Sequence, residues 1–170
     1  MAEGPKGAAR TALVTGAGRR IGAAIALALA RAGYAVVLHA NNSRDDAERL
    51  ASAIMGAGGH AHVVLADLAD HEAVRGLMPA AAAFGRLTLL VNNAGEFEPD
   101  DIETLSHARF QRAVAVNLEA PLFLSQAFAA QAPEGLDASI VNIVDQRVLK
   151  PNPRFFSYTL SKSALFTATT

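Results

Sequence analysis

Short runs of Val, Leu and Ile alternate along the chain with longer Ala-rich stretches whose apolar residues recur at helical spacing. Uninterrupted apolar runs suit strands buried on both faces, and a period near 3.6 suits helices with one covered face. The pattern predicts strands over residues 11–15, 35–39, 61–66, 87–91 and 139–144. It predicts helices over 22–32, 44–56, 71–84, 106–131 and from 157 to the end. Strand alternating with helix is the βαβ arrangement of an α/β protein with a parallel sheet covered on both sides. No linker or repeat breaks the series, and the alanines at 80–83 read as helix.

Composition narrows the choice of function. A chain of 170 residues, 51% hydrophobic and with a formal net charge of -1, fits one domain with a sizeable core and speaks against disorder or a nucleic-acid-binding face. Cysteine is absent, which excludes disulfides, thiolate nucleophiles and Cys-ligated zinc and fits a reducing, cytoplasmic setting. The apolar stretch at 21–38 is interrupted by Arg31 and Gly33, so it reads as core and not as a membrane span. Residues 1–9 lack the apolar region of a signal peptide and read as a flexible tail, which leaves 10–170 as the folded domain. The histidines (His39, His60, His62, His71 and His107) lack a ligand spacing with nearby acids, although a strand would put His60 and His62 on one face.

Several stretches carry candidate chemistry. Thr15-Gly16-Ala17-Gly18-Arg19-Arg20-Ile21-Gly22 stands between the first strand and the first helix. Glycines there let the backbone turn tightly, and the helix N-terminus offers unpaired N–H groups to a pyrophosphate. The strict G-x-G-x-x-G spacing is not matched, so an ordinary βα turn is the alternative. After the second strand comes His39-Ala40-Asn41-Asn42-Ser43-Arg44. Neutral donors and an Arg, where an acid would hold the 2′-hydroxyl of NAD, suit the 2′-phosphate of NADP. Ser43 also reads as a helix N-cap, with Arg44 solvated. The third strand ends at Asp67-Leu68, an acid that suits a cap as well as a ligand contact. The fourth ends in Asn92-Asn93-Ala94-Gly95, where open α/β sheets bind ligands. Asn117 falls inside a helix, which disfavours it locally and points to a packing or functional reason. Asp145 closes the fifth strand, and Tyr158 and Lys162, four apart, share a helix face. An ammonium beside a phenol is expected to lower the phenol's pKa from its usual ~10 and ready it for proton transfer.

Together these residues resemble the short-chain dehydrogenase/reductase family, whose turn reads T-G-x-x-x-G-x-G. Thr15, Gly16 and Gly22 fit that turn, and Arg20 replaces its middle glycine. The resemblance runs from about Arg10 to Thr170. It implies a Rossmann-type doubly wound parallel sheet of strand order 3-2-1-4-5, lacking the family's last strands. It also implies that Gly16, Gly18, Arg20, Ile21, Gly22, Asn93, Ala94 and Gly95 line a cofactor site, with Asp67 and Leu68 at the adenine. Asn117, Tyr158 and Lys162 would be catalytic: Tyr158 as proton donor, Lys162 also on the nicotinamide ribose, and Asn117 holding a water relay behind Lys162.

Most of the family places serine where Asp145 stands. The pteridine reductases, one branch, are similar to this chain there, in the arginine of the glycine turn, in a phenylalanine matching Phe97, and at His39 and Ser43. That resemblance implies NADP(H)-dependent reduction of a C=O or C=N bond of a small molecule, a pterin foremost. Asp145 would also be catalytic, orienting the substrate and, for a pterin, joining Tyr158 in the proton relay; Arg20 would lie between cofactor phosphate and substrate, and Phe97 would stack on the substrate. Neither nucleic acid nor membrane is an expected partner. Since the family extends roughly a third of a domain further, the chain is expected to be truncated, with an uncovered fifth strand and a tendency to self-associate. Full-length relatives are expected to be homo-oligomers. The alternative function is a truncated, catalytically inactive nucleotide-binding or interaction domain.

Overall fold

In the middle of the sheet, neighbouring residues of one strand serve opposite layers of helix. Leu13 and Val14 are both fully buried, yet they belong to separate cores. Leu13 packs with Val37, Leu77, Leu90 and Leu124. Val14 packs with Val36, Leu38, Ile54 and Val91. A strand covered on both sides has no polar face to spare, which is why its sequence is a continuous apolar run. Burying each such side chain contributes about 2 kcal/mol.

The computed structural model describes residues 10–132, 135 and 137–169. The tail expected at 1–9 lies outside the described residues, as does Thr170. Strands β1 (Thr11–Val14), β2 (Ala35–Ala40), β3 (His60–Leu65), β4 (Leu87–Asn92) and β5 (Ser139–Asn142) pair in parallel in the order β3-β2-β1-β4-β5. This is the doubly wound α/β order expected. The helices are α1 (Arg20–Arg31), α2 (Arg44–Gly56), α3 (His71–Phe84), α4 (His107–Val114), α5 (Ala120–Gln131) and α6 (Phe156–Thr167). The chain leaves β1 toward β2 on one side and returns to β4 on the other. A crevice therefore opens between the carboxyl ends of β1 and β4.

Local chemistry sets several boundaries. Asp70 caps α3, its carboxylate accepting the N–H groups of Glu72 at 2.9 Å and Ala73 at 3.4 Å. Ser106 caps α4 through Arg109 N–H at 3.3 Å. The single helix expected over 106–131 is interrupted: Ala115–Glu119 form a π-helical turn between α4 and α5. The strand expected over 139–144 stops at Asn142; the next residue, Ile143, still donates its N–H to Asn92 O at 2.9 Å, while its carbonyl accepts from Lys162 Nζ at 2.9 Å. The last helix, expected to run to the end of the chain, closes at Thr167. The hydroxyls of Thr167 and Thr169 bond back to the carbonyls of Ser163 and Leu165, a competition that weakens helical continuation.

The helical stretch His107–Gln131 is long and apolar enough to cross a membrane by length and composition alone. Here its Val116, Ala120, Leu124 and Phe128 are buried in the core under the sheet. Among the described residues β5 pairs only with β4, and Ile140 and Val141 on it are exposed.

Candidate active site

Two turns are tied together at the crevice by one threonine. Thr15, buried at the end of β1, accepts the N–H groups of Asn93 and Ala94 on Oγ1, both at 3.0 Å, and donates to Val91 O at 3.3 Å. Asn93 answers with its amide, donating to Thr15 O at 2.9 Å and Gly16 O at 3.2 Å. Gly16 takes φ +63°, and a Cβ there would lie 2.9 Å from Ala94 Cα, so both conformation and space require glycine. A Cβ on Gly18 would stand 2.5 Å from Ser43 Oγ, which explains the second glycine. Arg20 adopts φ +54° without being glycine. A left-handed arginine costs about 1 kcal/mol, the kind of strain found at functional turns.

His39 supports this turn from below. It is 2% exposed, its Nδ1 accepts Gly16 N–H at 3.2 Å, and Nε2 lies 3.1 Å from Ala66 O. Only the neutral Nε2–H tautomer satisfies both contacts, and burial lowers the ring's pKa accordingly. At α1, Arg19 supplies no side-chain cap, so the first-turn N–H groups are left for an anion.

From this turn a groove of about 840 Å³ runs across the carboxyl ends of the strands. Arg20, Ile21 and Gly22 border one end, with Asn41, Asn42 and Ser43 beside them, and Asp145, Tyr158 and Lys162 the other. Asp67, Leu68, Asn93, Ala94, Gly95 and Phe97 form its walls between. Three expected residues stand off it. Gly18 backs Ser43. Arg44 pairs outward with Glu48 at 3.3 Å. Asn117 is fully buried behind the wall. Ser43 precedes α2 but makes no capping bond, so the simple N-cap reading does not hold. Asp67 is likewise no helix cap, since Asp70 fills that place. Its carboxylate accepts Ala69 N–H at 3.0 Å and pairs with Arg112, and these contacts hold its pKa below the usual value.

At the far end, Tyr158 Oη donates to Asp145 Oδ2 at 3.3 Å. Lys162, 3% exposed, donates to Ile143 O. Burial first and the Asp145 charge second push the Tyr158 pKa up to about 12, with Arg147 opposing. The expected lowering of this pKa by Lys162 is not met: the shift runs upward, and Lys162 is not among its causes. Burial pulls Lys162 down to about 8, against Asp145.

Asn117 sits in the π-helical turn, a feature common at functional sites. Its amide exchanges two bonds with the Glu96 backbone, at 2.8 and 3.0 Å, and donates to Ser161 Oγ at 3.1 Å. It therefore fastens α6 to the β4 loop. Phe97, half-exposed, stacks face to face on Phe155 with centroids 4.0 Å apart and meets the edge of Tyr158 at 4.7 Å.

Two residues escaped the sequence reading. Arg112 bridges Asp67 at 3.2 Å and Glu96 at 2.7 Å across the groove wall. Its one available signal was its place four before Val116, on the same helix face. Asp100, 6% exposed, binds Ser157 from 57 residues away, and no local pattern announces that.

The crevice at the switch point of a parallel sheet is where open α/β folds bind ligands, and here it carries Tyr158 and Lys162 at one end, with Asn117 behind them. The short chain dehydrogenase family profile matches residues 10–170, and the chain belongs to that family. It is 42% identical over 153 residues to an uncharacterized oxidoreductase of Methylorubrum extorquens, covering 88% of this chain and 61% of that protein. It is 36% identical over 159 residues to the versicolorin reductase of Emericella nidulans, covering 93% of this chain and 60% of the other. Among solved structures, the FolM alternative dihydrofolate reductase 1 of Brucella suis, in complex with NADP, superposes with a TM-score of 0.90 at 48% identity. That match covers 95% of this chain and 65% of the other. The chain thus spans about three fifths of the length of the curated relatives it matches.

Proposed function

We propose that the chain carries the cofactor site and the proton-donating site of an NADPH-dependent reductase acting on a C=O or C=N bond, with a pterin as the favoured substrate. The carrying observation is the Tyr158–Asp145 contact at one end of a groove whose other end is the glycine turn. NADPH, when bound, supplies the hydride. Arg20, Ser43 and the open N-terminus of α1 are the groups to hold its phosphates, and Asn41 and Asn42 suit a 2′-phosphate better than an acid would. Brucella relatives crystallised with NADP support that cofactor.

Tyr158, with its hydroxyl at the end of the groove, is the group placed to deliver a proton to the nitrogen or oxygen that gains negative charge. Asp145 aligns the phenol and is placed to accept from an amino group of the substrate. Lys162 brings a positive charge to the floor beneath them. Phe97 offers its ring to a planar substrate. The name dihydrofolate reductase borne by the Brucella relatives, with Asp145 in place of serine, favours a dihydropterin over a simple ketone. Supply of the substrate and an NADPH pool fits a cytoplasmic setting.

The test is NADPH oxidation with dihydrobiopterin and with a simple ketone, beside a titration of NADPH fluorescence. Binding with turnover supports the reductase; binding without turnover in this chain supports instead a nucleotide-binding domain without catalysis. Tyr158→Phe is expected to reduce turnover by about 100-fold or more with cofactor affinity kept, and unchanged turnover would end the assignment.

A further inference from the structure

We infer that Asp100 is the positioning residue of the phenol and ammonium pair, because its carboxylate replaces the N-cap that α6 lacks. The helix opens on Phe155, a bulky residue at φ +58° whose side chain makes no capping bond. Its first N–H groups need acceptors from elsewhere. Asp100, in the segment after β4, supplies them. Ser157 N–H lies 3.1 Å from Oδ1 and 3.3 Å from Oδ2, the Ser157 hydroxyl donates to Oδ2, and Phe156 N–H donates to Asp100 O at 3.3 Å. Both Asp100 and Ser157 are buried. A carboxylate at the positive end of a helix also complements its dipole.

The next residue is Tyr158, so the direction of the first turn sets where the phenol points. The same segment holds that turn a second time, through Phe97 against Phe155 and Tyr158. Ser161 and Lys162 have their own ties, to Asn117 and Ile143. Those lie further along α6 and leave its start to Asp100.

This inference rests on the reductase reading, but a phenol titration examines it without catalysis. In a Tyr34→Phe background, ultraviolet titration reads Tyr158 alone, since the chain has two tyrosines. The parent phenol is expected to ionise at about 12. Asp100→Ala frees the first turn and is expected to bring the phenol down by about one pH unit, through lost burial. Asp100→Asn keeps an acceptor oxygen and is expected to stay near the parent.

If the parent turns over, Asp100→Ala is expected to lower kcat about tenfold with the NADPH dissociation constant unchanged, the mark of misplaced chemistry. A parent without turnover counts against the reductase reading and leaves the titration to decide on Asp100. An Asp100→Ala phenol that titrates with the parent overturns the inference. Should that variant not fold, Ser157→Ala, which deletes one donor group, is expected to move the titration downward by a smaller step. No movement there overturns it equally.

Discussion

Lys162→Met is expected to make the cofactor-free chain more stable. Lys162 is 3% exposed, and its pKa falls from 10.5 to about 8 on folding. A cation whose folded pKa is depressed opposes folding fully below the folded value. As pH rises from about 8 to 10.5, the folded protein has already released a proton that the unfolded chain still holds, and stability recovers. The shift corresponds to about 3 kcal/mol of opposition at pH 7. Methionine matches the stem and carries no charge. It forfeits the bond to Ile143 O, worth about 1 to 2 kcal/mol. The net gain is therefore about 1 to 2 kcal/mol at pH 7, and it should shrink to about zero by about pH 9.5, where roughly 1.4 kcal/mol of the opposition remains against the lost bond. Urea unfolding of both proteins at these two pH values, followed by circular dichroism, measures the difference. A variant less stable than the parent by the same amount at both would refute the reasoning, because it would mean that the buried ammonium meets no desolvation cost.

Thr15→Val removes the hydroxyl that accepts two N–H groups, and leaving both unpaired should cost about 2 to 3 kcal/mol in denaturant unfolding. A loss under 0.5 kcal/mol, on the order of an exposed substitution, would show that the two turns are held otherwise. Arg20→Gly relieves the left-handed backbone at the glycine turn. It should raise stability by up to about 1 kcal/mol while weakening NADPH binding, read by fluorescence titration; tighter binding would contradict a phosphate role for Arg20. Val141→Lys puts a charge on the exposed edge strand and should reduce self-association at tens of micromolar, about the range of a sedimentation experiment. Equal sedimentation of variant and parent would remove the edge as the cause.

The sheet was legible because its strands are covered twice. A run such as Thr11–Val14 has no reason to be so apolar unless helices lie on both sides, and alternation then dictates parallel order. The glycine turn, Asn93 and the Tyr158/Lys162 pair were legible because each is a local pattern next to a strand end or on one helix face. The direction of the Tyr158 shift was not. Spacing puts the ammonium on the right face, but the reach of its Nζ to Ile143 and the approach of Asp145 depend on how β5 ends. Arg44 illustrates the same limit: its sequence place offered it to a phosphate, yet its guanidinium pairs with Glu48 one turn along. Asp100 and Arg112 act across the fold, on partners no periodicity relates to them.

The widened turn at Ala115–Glu119 has a consequence for the whole long helix. Its inward positions, Arg112, Val116, Ala120, Leu124 and Phe128, recur every four residues, whereas an unbroken α-helix repeats every 3.6. Left uncorrected, that mismatch would carry the stripe steadily around the axis until Phe128 faced solvent or Arg112 lost the groove. One slack coil midway resets the phase, so a single rod can wall a polar cleft with its front half and floor an oily interior with its rear. Deleting one residue there would straighten the rod and force it to choose between the two duties.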